Sequence, residues 1–179
     1  MAKRANHIFP EWYVDTNILK TLLCLDGVNY KHGCSNVMAG MKVGRFADGF
    51  AIGIIDDDKK KTYDYTDFQL LANSEHLRLM KHKTRHHYLI FVCKAAEDFL
   101  LSCAAELDIN LSEYGLPDTL EGLKEVTKDS ESDKEPRIKR LVNALRTSSE
   151  MSRLERILCY LQTKQYNVNT AELVEVFNQ

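Results

Sequence analysis

No apolar run in this chain approaches the roughly 20 residues that a membrane-crossing helix needs. The longest candidates are Phe50–Ile55 and Tyr88–Cys93. No charged-then-apolar leader opens the sequence, so the expectation is a cytoplasmic protein without membrane contact. Paired cysteines are missing too. Cys24, Cys34, Cys93, Cys103 and Cys159 form no C-x-x-C unit, and their number is odd. That excludes a disulfide framework and predicts reduced thiols, buried where they sit in apolar segments. Charge of one sign is also scarce. With 24 Lys and Arg against 26 Asp and Glu, the formal net charge is -2. Nothing here attracts nucleic acid or an anionic membrane globally, so such contact needs a local basic patch or a bridging metal.

Familiar motifs are absent as well. There is no G-x-x-x-x-G-K-[ST], no G-x-G-x-x-G and no G-x-S-x-G, so the corresponding nucleotide-binding and esterase chemistries have no support. The six histidines, among them the adjacent His86 and His87, make no H-E-x-x-H and do not pair with cysteines at zinc spacing. No internal repeat is present.

What remains is strong in one place. Phe50 to Ile55 is a short apolar run, as expected for a buried parallel strand, and it ends in Asp56-Asp57-Asp58 and then Lys59-Lys60-Lys61. Side chains two apart in an extended chain point the same way, so Asp56 and Asp58 can converge while Asp57 turns away. Convergent carboxylates with open positions suit Mg²⁺ or Mn²⁺. The plainer alternative is a polar turn after a core strand. Lys59 beside a metal could hold a phosphate, although such a lysine run also suits a solvated turn.

The remaining pattern predicts an α/β fold: a small, mostly parallel sheet flanked by helices, followed by a helical part. Trp12-Tyr13-Val14 reads as a first strand closed by Asp15, with Thr16 or Asn17 capping a helix from Ile18 to Leu25. A short strand at Val28–Tyr30, a helix to about Val43 and the acidic strand follow. Tyr63–Leu71 reads as a helix, Leu77–Met80 as an edge strand, Tyr88–Val92 as a buried strand, and Ala95–Leu107 as a helix with Glu97 in its first turn. Strands alternating with helices argue for a parallel sheet. The carboxyl edge of such a sheet would then bring Asp15, Asp56, Asp58 and Glu97 to one site. Alternatively, Asp15 caps a helix and Glu97 is an ordinary first-turn acid. Residues 1–115 form the expected α/β core and 116–179 the helical part. Within the latter, the charged stretch near 128–136 predicts a solvated, mobile loop.

Those residues resemble the Toprim domain, in particular the branch found in nucleases of the overcoming-lysogenization-defect type. That family places an acid at the end of its first strand and Asp-x-Asp at the end of a later one; here Asp15 and Asp56-Asp57-Asp58 match. Ile52-Gly53-Ile54-Ile55-Asp56-Asp57-Asp58-Lys59, Cys34-Ser35-Asn36-Val37 and Ala95-Ala96-Glu97-Asp98-Phe99-Leu100-Leu101 are similar to that branch. The resemblance covers about residues 11–107 and implies a Rossmann-like fold with metal-dependent cleavage of DNA or RNA. Asp15, Asp56, Asp58 and Glu97 would be metal ligands, and Lys59 a phosphate contact. The family's first acid is normally glutamate followed by glycine, whereas here it is Asp15-Thr16. These 179 residues do not include the ATPase usually fused to that nuclease branch, so the expectation is a stand-alone domain. Tyr13-Val14-Asp15-Thr16-Asn17-Ile18-Leu19 also resembles the opening of a PIN-domain ribonuclease. A different kind of alternative is a catalytically silent interaction module, with a second copy or another protein bound through the C-terminal helices.

Overall fold

The computed structural model describes residues 3–57 and 64–179. Asp58, Lys59, Lys60, Lys61 and Tyr63 lie outside the described residues. The elements in chain order are β1 (Arg4–Ala5), β2 (Ile8–Pro10), α1 (Tyr13–Leu22), β3 (Gly27–Val28), α2 (Cys34–Met41), β4 (Ala51–Asp57), β5 (Phe68–Asn73), β6 (Leu77–His82) and β7 (His87–Cys93). The helices α3 (Ala96–Glu106), α4 (Leu120–Thr127), α5 (Pro136–Leu145), α6 (Ser149–Lys164) and α7 (Thr170–Asn178) complete the chain.

A five-stranded sheet runs in the order β2-β4-β7-β6-β5, and β1 pairs separately with β3. The β2, β4 and β7 strands are parallel, with Pro10 opposite Ile54 and Asp56 opposite Val92, while β6 and β5 return antiparallel. The three parallel strands therefore share one carboxyl edge. Side chains alternate across the sheet. Ile52, Ile54, Leu77, Leu79, Tyr88 and Ile90 face a core built with α1, α3 and the C-terminal helices. Ala51, Ile55, Leu89 and Phe91 face a smaller core under α2. Gly53 lies on the α2 side, where a Cβ would come within 2.8 Å of both Leu89 and Met41. Only a residue without a side chain lets α2 approach this closely.

The first strand is not where aromatic and β-branched content put it. Trp12 is extended, and Tyr13 already opens α1. The Asp15 carboxylate accepts the Trp12 backbone N–H at 3.1 Å, as an acid in a helix's first turn can. Val14, Ile18, Leu19 and Leu22 then form the buried stripe, and this 3.6-residue period overrides local strand preference. The true strand is Ile8-Phe9-Pro10, buried throughout. Pro10, which has no N–H to give, is tolerated because β2 is at the sheet's edge. The N–H groups of Asn29 and Lys31 donate to the Ile8 and Pro10 carbonyls along that edge.

Other expectations change. Residues 68–73 form a strand where a helix was expected, after a turn in which Asp64 accepts the Thr66 N–H. The β6 strand is interior, not an edge, since β5 covers it. On β5 the register slips between Leu70 and Ala72, leaving a bulge. Of the thiols, Cys34 and Cys103 are buried, but Cys24 and Cys159 are exposed although both sit in apolar stretches.

The C-terminal helices are not a separate body. A single core cluster runs from Ala5 and Ile8 to Leu173 and Phe177. Leu141, Leu145, Leu154, Leu158, Leu161 and Phe177 are all within it, so these side chains are not available to a second copy or another protein. The charged stretch 128–136 is tied to α1. The Asn17 amide donates to the carbonyls of Ser132 and Glu135 at 2.8 and 3.1 Å, and Ser132 is buried. Among the described residues, no helix is long and apolar enough to cross a membrane.

Candidate acidic site at the carboxyl edge of the sheet

Two parallel strands and the starts of two helices deliver acids to one edge. Glu11 follows β2 directly and is fully buried. Its carboxylate accepts the backbone N–H of Asp56 at 3.0 Å, which ties the end of β2 to the end of β4. Asp56 points to the α1 and α3 side, with Ile52 and Ile54. Asp57 points the other way and pairs with Arg78 at 2.8 Å, whose guanidinium lies over the Phe91 ring at 4.5 Å. The expected divergence of neighbouring aspartates is therefore seen for Asp56 and Asp57.

Asp15 comes to the same place from the first turn of α1, not from a strand end. It is 2 % exposed. Burial pushes its carboxyl well above the usual range, and the charges of Asp56, Glu11 and Glu97 push it further; the Trp12 hydrogen bond opposes them. Glu97 stands in the first turn of α3, as its sequence position predicts, and accepts a hydrogen bond from the Thr127 hydroxyl at the end of α4.

A cavity of about 310 Å³ opens at two of these acids, Asp56 and Glu97, with Trp12 and Val14 also in its lining; Asp15 and Glu11 do not reach it. Lys94, Lys124 and Lys128 line it as well. Lys94 holds a left-handed backbone, φ +69°, in the turn from β7 into α3. A non-glycine residue pays for that conformation in local strain, of order 1–3 kcal/mol, which concentrates at functional sites.

The structure thus gathers Asp15, Asp56 and Glu97, and adds Glu11, which sequence reasoning missed. Its only local signal is its place directly after the apolar triplet Ile8-Phe9-Pro10; its role depends on the distant pairing of β2 with β4. Among the described residues, no three His, Cys, Asp or Glu side chains are arranged to hold a metal ion. Glu11, Asp15 and Glu97 each have an oxygen turned to a protein donor instead. The Asp15-Thr16-Asn17 triplet lies within α1, where Thr16 donates to the Trp12 carbonyl and Asn17 holds the 128–136 stretch. No family model matches the chain, and neither a curated protein nor a solved structure matches it.

Proposed function

We propose that this chain is a Toprim-like, Mg²⁺- or Mn²⁺-dependent enzyme that cleaves phosphodiester bonds in DNA or RNA. The observation that carries the reading is the gathering of Glu11, Asp15, Asp56 and Glu97 at the carboxyl edge of parallel strands, close enough for three of them to disturb the fourth. Four carboxylates crowded together repel, and a hard divalent cation is the natural counter-charge for oxygen donors. Glu11 bears on one departure in the resemblance, since it puts a glutamate at the end of the first strand of the five-stranded sheet, although Trp12 and not glycine follows it. The PIN-like reading loses weight because its Asp-Thr-Asn is spent inside α1.

Asp56 would hold the cation together with Asp58, and Asp15, Glu11 and Glu97 would complete the shell only by turning an oxygen away from the protein donors they now face. A bound ion of this kind activates water and stabilises a leaving oxygen. The chain's own residues do the rest. Glu11 fixes the backbone at Asp56, and Thr127 holds Glu97 in place. Lys94, Lys124 and Lys128 offer point charges to the phosphates on either side of the cleaved bond, and Lys59 is the sequence's further candidate. Because Asp15 keeps its proton unusually well, cation binding must displace that proton and will strengthen as pH rises.

Thermal unfolding with and without Mn²⁺, paired with cleavage of a labelled oligonucleotide, tests this. Stabilisation follows RT ln(1 + [L]/Kd), about 2.7 kcal/mol at a hundredfold excess over Kd. Asp56→Ala should remove both the shift and the cleavage. An unshifted wild type without cleavage would favour the silent interaction module, in which the acids serve only their protein hydrogen bonds.

A further inference from the structure

The opposite edge of the sheet carries a second concave site. His7, Phe50 and His86 immediately precede β2, β4 and β7. Beside them is a cavity of about 360 Å³, lined by Arg4, His7, Arg45, Phe50, Gln165 and Tyr166. Its parts come from three distant stretches of chain. Gly49 closes the loop between Arg45 and β4 so tightly that a Cβ there would be 2.3 Å from the Arg45 carbonyl oxygen. The Tyr166 hydroxyl then accepts the Phe50 N–H at 3.1 Å.

Two properties of this cavity have no internal use. Arg78, Arg137, Arg146 and Arg153 each hold a carboxylate. Among the described residues, the side chains of Arg4 and Arg45 have no ion pair and no hydrogen bond; Arg45 only rests over the Phe46 ring at 4.9 Å. The wall is aromatic: His7 packs against Phe50 at 5.3 Å and Phe50 against Tyr166 at 6.2 Å, while His86, which does not line the cavity, meets the Tyr166 ring edge-on at 5.3 Å. Tyr166 is 54 % exposed, unusual for a large ring with neighbours on two sides. Unpaired guanidinium groups beside an open aromatic wall suit a phosphate joined to a flat base.

We propose that this cavity binds a nucleotide unit, with Arg4 and Arg45 on the phosphate and the exposed Tyr166 ring, packed against Phe50, on the base. The unit is either a free nucleotide or part of a single strand. The proposal does not rest on the acidic site, which is at the other end of the strands. One group reports on occupancy. Burial, and after it the Arg45 cation, hold the His7 imidazole below its usual range, while its hydrogen bond to Gln162 pulls the other way. An anion placed on Arg45 would cancel the cation's influence and raise the His7 titration.

The test titrates the full chain in EDTA with inorganic phosphate, thymidine monophosphate and a short oligothymidylate, followed by amide and histidine NMR. Thymidine monophosphate should bind about tenfold tighter than phosphate, because only the nucleotide has a base to stack on the ring. Its perturbations should fall on Arg45, Phe50 and Tyr166, and the His7 pKa should rise. Arg4→Ala/Arg45→Ala and Tyr166→Ala, all exposed positions checked for unchanged melting, should each weaken binding about tenfold. An oligothymidylate bound far more tightly than the monophosphate identifies a strand as the ligand, and equal affinity identifies the free nucleotide. No perturbation at this edge, or binding indifferent to both variants, overturns the proposal. Repeating the titration in Asp56→Ala keeps the two sites apart, since loss of the acidic site should leave this binding unchanged.

Discussion

Asp15 shows how much a single side chain can change roles between sequence and structure. Read as a strand terminus, it is a helix-start acid whose carboxylate accepts the Trp12 N–H and lies against three other acids. Its folded-state titration is raised above that of the unfolded chain. The native state therefore binds more protons than the unfolded state as pH climbs through that interval. The stability it contributes is complete below the unfolded carboxyl range and is lost as pH rises through the folded value. Asp15→Asn keeps an acceptor for Trp12 and removes the charge. In EDTA this variant should melt higher than wild type at pH 8, and the difference should close near pH 4. An equal difference at both pH values, measured by calorimetry, would show that the effect is packing and not charge. Glu11 carries the opposite lesson. A lone glutamate after three apolar residues gives little local signal, and only the pairing of β2 with β4 reveals that it supports Asp56.

At the level of elements, the buried strands were legible because they are continuous apolar runs. The β4 and β7 strands lie where Phe50–Ile55 and Tyr88–Val92 put them. The α3 helix, and the helical character of residues 116–179, were legible as well. The failures have a common cause: short segments whose partners are distant. Phe68–Asn73 is a strand because β6 is there to pair with it. Its own sequence alternates poorly. The 128–136 stretch has no apolar residue and so reads as solvent-bound, yet α1 holds it through one amide. Asn17→Ala would leave the Ser132 and Glu135 carbonyls without that donor, at a cost of about 1–3 kcal/mol. Lys20 reaches the same stretch by a contact to Asp133 at 3.5 Å, with both side chains about one-fifth exposed. Lys20→Ala should cost at most about 1 kcal/mol. Urea unfolding of both variants checks the ranking, and equal losses would place the anchor elsewhere.

For the whole molecule, the shared core sets what can be removed. Ile138, Leu141, Val142 and Leu145 on α5 are fully buried, and α5 packs on α1. Each such side chain is worth roughly 1.5–3 kcal/mol when buried, against a total stability of roughly 5–15 kcal/mol for a typical domain. A chain cut after Pro136 should therefore aggregate or lose cooperative unfolding, and a monomeric 1–136 fragment with a sharp transition would refute this. The division between an α/β part and a helical part is visible in sequence because strands stop after residue 93, but folding erases it energetically. The two margins of the sheet bear on how molecules of this chain meet. On one, residues 29 and 31 already occupy the carbonyls of β2. On the other, the β5 bulge throws the outermost ladder out of step. An intruding strand finds no regular row of hydrogen-bond partners on either margin. Self-association by sheet extension, the usual route from a partly opened α/β protein to fibrous aggregate, is obstructed at both ends before any charge or chaperone acts.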